Sequence, residues 1–195
     1  MMTKTTLMTT TSETGLFGNF KNKNKDKLLK ISEVSEVKIY QVVKFKLSKI
    51  DLSLVKIDNL LLPNNPSSVS ANSNTRIQWN GPKMWTIISN KNIIDQVEAN
   101  CPVEDFAITD LSHSRIIIQI NGDNAINVIK KGCPINLNEF KANSCANSLY
   151  HGIALSIDMI NDKPNTFNLM AYRSFADSIH HAITDASLEY GYEQL

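Results

Sequence analysis

The stretch RIIIQINGDNAINVIKKGCPINL, Arg115 to Leu137, constrains this chain more than any other. Its first seven residues are dominated by β-branched isoleucine, the composition of a strand. A helix is then expected to open at Gly122-Asp123, with Ala125, Ile126, Val128 and Ile129 clustered on one face and Gly132 with Pro134 as the stop. A strand that feeds directly into an amphipathic helix needs a sheet-and-helix layer in which the helix buries its stripe, so the fold class is α+β.

The remaining pattern is read against that unit. Val37 to Ser48 alternates Val37, Ile39, Gln41, Val43, Phe45 and Leu47 against mostly polar partners, the period of a half-buried strand. A short helix is expected across IDLSLVKIDNLLL, ending before Pro63, and the Pro-, Asn- and Ser-rich run Leu62 to Thr75 reads as a loop. RIQWNGPKMWTIIS gives two strands around Asn80-Gly81-Pro82, with Trp79 and Trp85 flanking the turn. A helix follows over Asn92 to Ala99 and a strand over Phe106 to Leu111. Beyond the Arg115 unit come strands near Cys145 to Tyr150, Ile153 to Met159 and Phe167 to Tyr172, with NDKPN as the last turn. A final helix is expected to start at Ser174 as its cap, with Phe175, Ile179, Ala182, Ile183, Ala186 and Tyr190 as the core stripe. In order the elements make two similar α+β halves, about 37–111 and 115–190. VKFKLSKIDLSLV set against IIIQINGDNAINVI is the weak trace of a repeat.

A chain of 195 residues with 42% apolar side chains can bury a normal core without disulfide or metal. Cys101, Cys133 and Cys145 stand far apart with no CxxC pair, which signals reduced, partly buried thiols. No apolar run approaches the ~18 residues of a membrane-spanning helix, and the opening lacks a signal-type stretch, so a cytoplasmic protein with no membrane partner is expected. Residues 1–60 carry eleven lysines against six acids, and residues 61–195 carry nine basic against thirteen acidic groups. The lysine-rich run Lys21 to Lys30 has one aromatic neighbour, Phe20, and no amphipathic stripe. Residues 1–30 are therefore expected to form a disordered basic extension ahead of a single domain, 31–195, and a nucleic-acid partner is not expected.

Candidate chemistry is sparse. Asp110, Ser112, His113, Ser114 and Arg115 are triad residue types, but they are adjacent in sequence and lack a nucleophile elbow, so a polar turn is the expected reading. His180 and His181 are consecutive on a helix, about 100° apart, which is unsuited to holding one metal. Glu104-Asp105 cannot straddle a scissile bond from neighbouring positions. The seven glycines form no phosphate cradle. No catalytic, cofactor-binding or metal residue is assigned. Trp79, Trp85 and Arg173 are the candidate interface residues, by residue type.

Three blocks, WNGPKMW, DLSHSRIIIQINGDNAINVIKKGCPINLNEF and YRSFADSI, resemble in order the sarcosine oxidase gamma subunit family. The matching positions are Gly81, Pro82 and Trp85; Gly122 and Ala125; Gly132, Cys133, Pro134, Ile135 and Leu137; and Arg173, Ser174, Phe175, Ala176 and Ser178. Asn136 stands where that family has aspartate. The resemblance runs from about Arg76 to Tyr190. It implies two intertwined ferredoxin-like β-α-β-β-α half-repeats like the folate-binding domain of aminomethyltransferase, the glycine-cleavage T-protein. It also implies a non-catalytic structural or assembly subunit partnered by alpha, beta and delta subunits. The implied complex demethylates sarcosine to glycine, passes the one-carbon unit to tetrahydrofolate and yields hydrogen peroxide. FAD, FMN, NAD and tetrahydrofolate would sit on the larger subunits and zinc on delta, with none bound by this chain alone. The alternative is a stand-alone folate-binding or aminomethyltransferase-like protein.

Overall fold

The computed structural model describes residues 13–21 and 23–195. The strands are β1 (Gly15–Phe17), β2 (Leu29–Glu33), β3 (Lys38–Lys44), β4 (Lys56–Ile57), β5 (Leu60–Leu61), β6 (Val69–Ala71), β7 (Thr75–Gly81), β8 (Met84–Ser89), β9 (Phe106–Asp110), β10 (Arg115–Asn121), β11 (Ser144–Tyr150), β12 (Ile153–Asp162), β13 (Asn165–Tyr172) and β14 (Tyr192–Gln194). The helices are α1 (Ile94–Asn100), α2 (Ala125–Gly132) and α3 (Ala176–Ser187). The α+β class expected from sequence is observed. The chain divides into two compact units. One is Glu36–His113 with Asn143–Cys145; the other holds the described residues up to Ser35 with Ser114–Ala142 and Ala146–Leu195.

The larger unit is built on a seven-stranded sheet in the order β1-β14-β2-β10-β13-β12-β11. Alternation along β10 sends Ile116, Ile118 and Ile120 to one face, where they meet Leu155, Ile157 and Met159 of β12 and Phe167 and Leu169 of β13. Ala125, Val128 and Ile129 of α2 and Ile179, Ile183 and Ala186 of α3 cover that face. Each isoleucine buried there contributes roughly 1.5–3 kcal/mol. α2 stops at Gly132, where the Gly132-Pro134 signal puts it, and opens at Ala125, just beyond the expected Gly122-Asp123. At Gly122, φ is +133°, a conformation that strains any residue with a side chain, and an added Cβ would lie tight against β2, 3.2 Å from Leu29 Cδ2 and 3.3 Å from Leu29 Cα.

The expected basic extension is the main correction. Residues 1–12 and 22 lie outside the described residues, but Gly15–Phe17 and Leu29–Glu33 are strands of the larger unit's sheet. β1 pairs with β14 and β2 pairs with both β14 and β10. Phe17 stacks on Tyr192 at 5.3 Å. Asn19 donates its amide to Leu188 O at 2.7 Å, and Lys23 Nζ reaches Tyr190 O at 3.0 Å. Within the lysine run a short 3-10 turn, Lys25–Lys27, is capped by Asn24, and the chain then buries Leu28 and Leu29 at 2% and 1% exposure. The final helix is also corrected. Arg173–Phe175 form a 3-10 turn, α3 begins at Ala176 with no side-chain cap, and Phe175 stands exposed rather than in the core stripe.

The smaller unit has a five-stranded antiparallel sheet, β6-β7-β8-β3-β9. The expected hairpin of β7 and β8 is present, with a bulge between Trp79 and Gly81. The face of β3 is not the expected one: Tyr40 and Val42 enter the core with Trp85, Ile77 and Ile87, and the strand ends at Lys44, leaving Phe45 and Leu47 exposed. The helix expected before Pro63 does not form. A 3-10 turn, Leu52–Leu54, leads into the β4–β5 hairpin, whose turn residues Asp58 and Asn59 have φ of 49° and 63°. That pair of left-handed conformations suits Asp and Asn and reverses the chain within two residues, sending Ile57 and Leu62 into the core. The Asp58 carboxylate accepts from Thr75 Oγ1 at 2.7 Å and Asn72 Nδ2 at 3.0 Å, which together hold it below the usual carboxylate range.

Candidate functional site

Several of the side chains suggestive of chemistry make structural contacts. In the DLSHSR stretch, Asp110 Oδ1 accepts the Ser112 amide at 2.8 Å, and Ser112 Oγ, buried, accepts the Ile39 amide at 2.9 Å. Burial works to raise the Asp110 carboxyl, but the Ser112 hydrogen bonds, helped by Lys38 and His113, bring it below its ordinary value. The stretch is the polar turn expected. His180 Nε2 lies 3.1 Å from Gln194 Oε1, and the carbonyls of both histidines accept from Thr184. Cys101, Cys133 and Cys145 form no disulfide and are buried, and burial pushes the Cys101 thiol up to about 12. Cys133 Sγ is 3.2 Å from Ser148 Oγ, and Cys145 Sγ points at Ser68 O and Trp79 O.

The Gly-Cys-Pro phrase acquires a packing reason. A Cβ on Gly132 would lie 2.7 Å from the His151 ring and 2.9 Å from the Tyr150 ring. Tyr150 is fully buried, its hydroxyl donates to Val128 O at 3.1 Å, and burial pushes that phenol up to about 12. Only glycine lets the end of α2 close on the turn between β11 and β12. Gly132→Ala is expected to destabilise the protein by roughly 1–3 kcal/mol through overpacking, read as a lower thermal midpoint; an unchanged midpoint would contradict this packing. A cleft of about 380 Å³ lies alongside, lined by Lys130, Lys131, Gly132, Cys133, Pro134, Leu149 and Gly152. Lys131 is held by Ala186 O and by Glu189, 2.9 Å away.

The three candidate interface residues separate. Trp85 is a core residue at 1% exposure, and its Nε1–H donates to Pro63 O at 2.8 Å, which removes it from the interface set. Large apolar area with one satisfied polar atom is what a core tryptophan needs. Trp79, opposite it across the hairpin, is half-buried. Arg173 lies at the edge of an exposed group that sequence reading did not assemble. It donates from Nη2 to Arg115 O at 3.0 Å, and the Arg115 guanidinium sits 3.8 Å over the Tyr172 ring. Tyr172 and Phe175 are 48% and 46% exposed. Strand register explains the grouping: Arg115 opens β10 directly opposite Tyr172, which closes β13, and the 3-10 turn brings Arg173 and Phe175 alongside. The available signal was the pair of arginines at the ends of two expected strands.

Sequence reading also passed over Asp158. It is 1% exposed in the middle of β12, opposite Asn168, which accepts from Gln119 Nε2 at 2.9 Å. Gln119 in turn is in register with Ser32. A polar row therefore crosses four strands on the sheet face away from the helices. Its trace in the sequence is the polar break in LSIDMI.

No family model matches the chain. In sequence it is 25% identical, over 122 residues, to the sarcosine oxidase subunit gamma of Corynebacterium sp. (strain U-96), a match that spans 60% of this chain and 58% of that relative, less than two thirds of its length. In structure, 86% of this chain superposes on 87% of a chain of heterotetrameric sarcosine oxidase from Corynebacterium sp. U-96, solved in complex with pyrrole 2-carboxylate, with a TM-score of 0.78 and 22% identity. It also superposes on glycine cleavage system aminomethyltransferase T from Bartonella henselae, over 88% of this chain and 48% of that one, with a TM-score of 0.64 and 14% identity. The resemblance read from the motifs is thus found in sequence, and the mixed α+β fold is similar to that of both superposed structures.

Proposed function

We propose that this chain is a structural subunit of a sarcosine oxidase complex, taking the place of the gamma subunit beside alpha, beta and delta partners. The observation that carries the reading is the fold match over 86% of this chain and 87% of its counterpart, together with the sequence match to a gamma subunit. The motif residues behave as the reading requires. Gly122, Gly132, Ala125, Leu137 and Ala176 hold the fold by packing, while Phe175 and Arg173 of the Arg-Ser-Phe-Ala block lie at the surface. Asp110 and Ser112 serve a polar turn and His180 faces Gln194, and these contacts support the structural reading. FAD, FMN, NAD and tetrahydrofolate would then reside on the larger subunits and zinc on delta. The two halves would descend from one β-α-β-β-α unit, and the complex would work in the cytoplasm on sarcosine.

The second reading, a folate-binding protein of the aminomethyltransferase type, draws on the likeness to aminomethyltransferase T, of which the chain covers 48%. The cleft beside Gly132 has the volume for a small ligand, but no aromatic ring among its lining residues to stack a pterin. Calorimetric titration of the isolated chain with tetrahydrofolate separates the readings. No binding heat into the millimolar range is expected; micromolar affinity would favour the folate-binding protein.

A further inference from the structure

We propose that the open edge of β9 is a docking site for an extended segment of a partner subunit, which adds a sixth strand to the smaller unit's sheet and carries a lysine or arginine toward Asp110. The inference rests on the assembly reading and names the edge that would serve it. Among the described residues β9 is the last strand of its sheet and pairs with β3 alone. The Phe45 amide donates to Asp105 O and the Leu111 amide to Ile39 O, both at 2.8 Å. These bonds fix the alternation of the antiparallel ladder: Ala107 and Thr109 turn their amides and carbonyls to β3, and Ile108 and Asp110 turn theirs to the open side. Ala107, Ile108 and Thr109 occupy the middle of the edge, without the charges or prolines that commonly blunt one. Backbone donors and acceptors spaced along a strand are met by another extended chain, whereas a helix has already bonded its own.

Side chains at the two ends of the strand narrow the occupant. At its start lies a cleft of about 520 Å³ whose lining includes Phe45, Lys46, Leu47, Lys49, Glu104 and Asp105. Phe45 and Leu47 are 41% and 89% exposed, so this end takes an apolar side chain, and the two lysines balance the two acids. The other end is acidic. Asp110 is in register with Tyr40, and burial, together with Asp110, Asp95 and Glu98, raises the Tyr40 phenol. Those three carboxylates therefore gather at the end of β9, with Lys38 and His113 also near Asp110. From Asn92 to His113 the chain has five acids and no lysine or arginine. A cation about four residues from the apolar side chain, the span of β9 from Phe106 to Asp110, complements that end. A second copy suits the edge less well. Antiparallel pairing about Ile108 would set Phe106 of one copy opposite Asp110 of the other and bring each Asp110 diagonal to a Glu104, gathering like charges.

The test uses the full chain, alone and co-expressed with the other sarcosine oxidase subunits of its source organism, and reads residue-resolved amide exchange in both states. The Ile108 amide should exchange freely in the chain alone and slow by about tenfold or more in the complex, while the Ala107 and Thr109 amides are protected in both. Ile108→Pro, which removes only the outward N–H, should weaken surface capture of the partner subunits about tenfold or more. Asp95→Lys/Glu98→Lys should weaken capture about tenfold and flatten its dependence on salt. A complex in which the Ile108 amide still exchanges as in the free chain would overturn the docking edge and leave the assembly reading standing. That exchange result decides the matter even where Ile108→Pro fails to fold. Wild-type affinity in Asp95→Lys/Glu98→Lys would overturn the basic occupant. Ile108 protection that grows with the concentration of the chain alone would overturn the partner segment in favour of a second copy. A wild-type chain that captures no partner would overturn the assembly reading, and this edge with it.

Discussion

Trp85→Ala is expected to cost the smaller unit most of its stability. The side chain is 1% exposed and packs with Tyr40, Val42, Ile57, Ile77, Ile87 and Phe106. Truncating a buried tryptophan typically costs about 3–5 kcal/mol through lost transfer energy and the cavity left behind. The change also strips Pro63 O of its 2.8 Å donor, and a buried acceptor left without a partner adds about 1–3 kcal/mol. A domain's whole margin is about 5–15 kcal/mol. Urea unfolding followed by circular dichroism should therefore show a transition at much lower denaturant or none at all, whereas Trp79→Ala, at a half-buried site, should shift it far less. A Trp85→Ala midpoint near wild type would mean that this side chain is not the core anchor.

Deleting residues 1–30 is expected to unfold the larger unit. The deletion takes away β1, the stacked Phe17 and the buried Leu28 and Leu29, and leaves β14 and β10 without their β2 partner over Leu29 and Lys30. Two fully buried leucines alone are worth several kcal/mol, since each Leu→Ala truncation in a core costs about 2–5. Thermal unfolding of the truncated chain should lose its cooperative transition at room temperature, or the chain should aggregate. A truncated chain that melts like the full one would restore the first thirty residues to the role of a detachable extension.

These two cases show how unevenly the fold was legible. The elements whose partners lie near in sequence were readable. The β7–β8 hairpin is announced by Asn80-Gly81-Pro82 and α2 by its own apolar face and glycine stops, and both are present. What sequence reading missed depends on distant partners. β2 looks like part of a charged tail because the exposed lysines Lys21, Lys23, Lys25 and Lys27 lead into it, and the burial of Leu29 requires Tyr192, at the other end of the chain. The β4–β5 hairpin was read as a helix because Ile57, Leu60 and Leu61 suit either period. The Asp58-Asn59 turn decides between them, through a left-handed tolerance that composition shows only weakly.

The candidate site was legible only in part. Arg173 lies in the exposed group, but Trp85 does not, because a tryptophan beside a turn signals burial and interface alike. Tyr172 and Phe175 were concealed by periodicity: Phe175 fits the stripe of α3, but the 3-10 turn before Ala176 swings it out of that stripe. Arg115 was read as part of a polar turn, and only its register opposite Tyr172 reveals it as half of an aromatic and guanidinium pair. Asp158 shows the reverse case, a carboxylate whose strand position puts it on the sheet face away from the helices, where it is nonetheless fully buried.

Native mass spectrometry of the co-expressed subunits, with and without this chain, bears most directly on its role. With the chain present, a complex holding one copy of each of four subunits and oxidising sarcosine is expected, and without it that complex should fail to assemble. A partner complex that forms and turns over equally well in the chain's absence would contradict its place as a structural subunit.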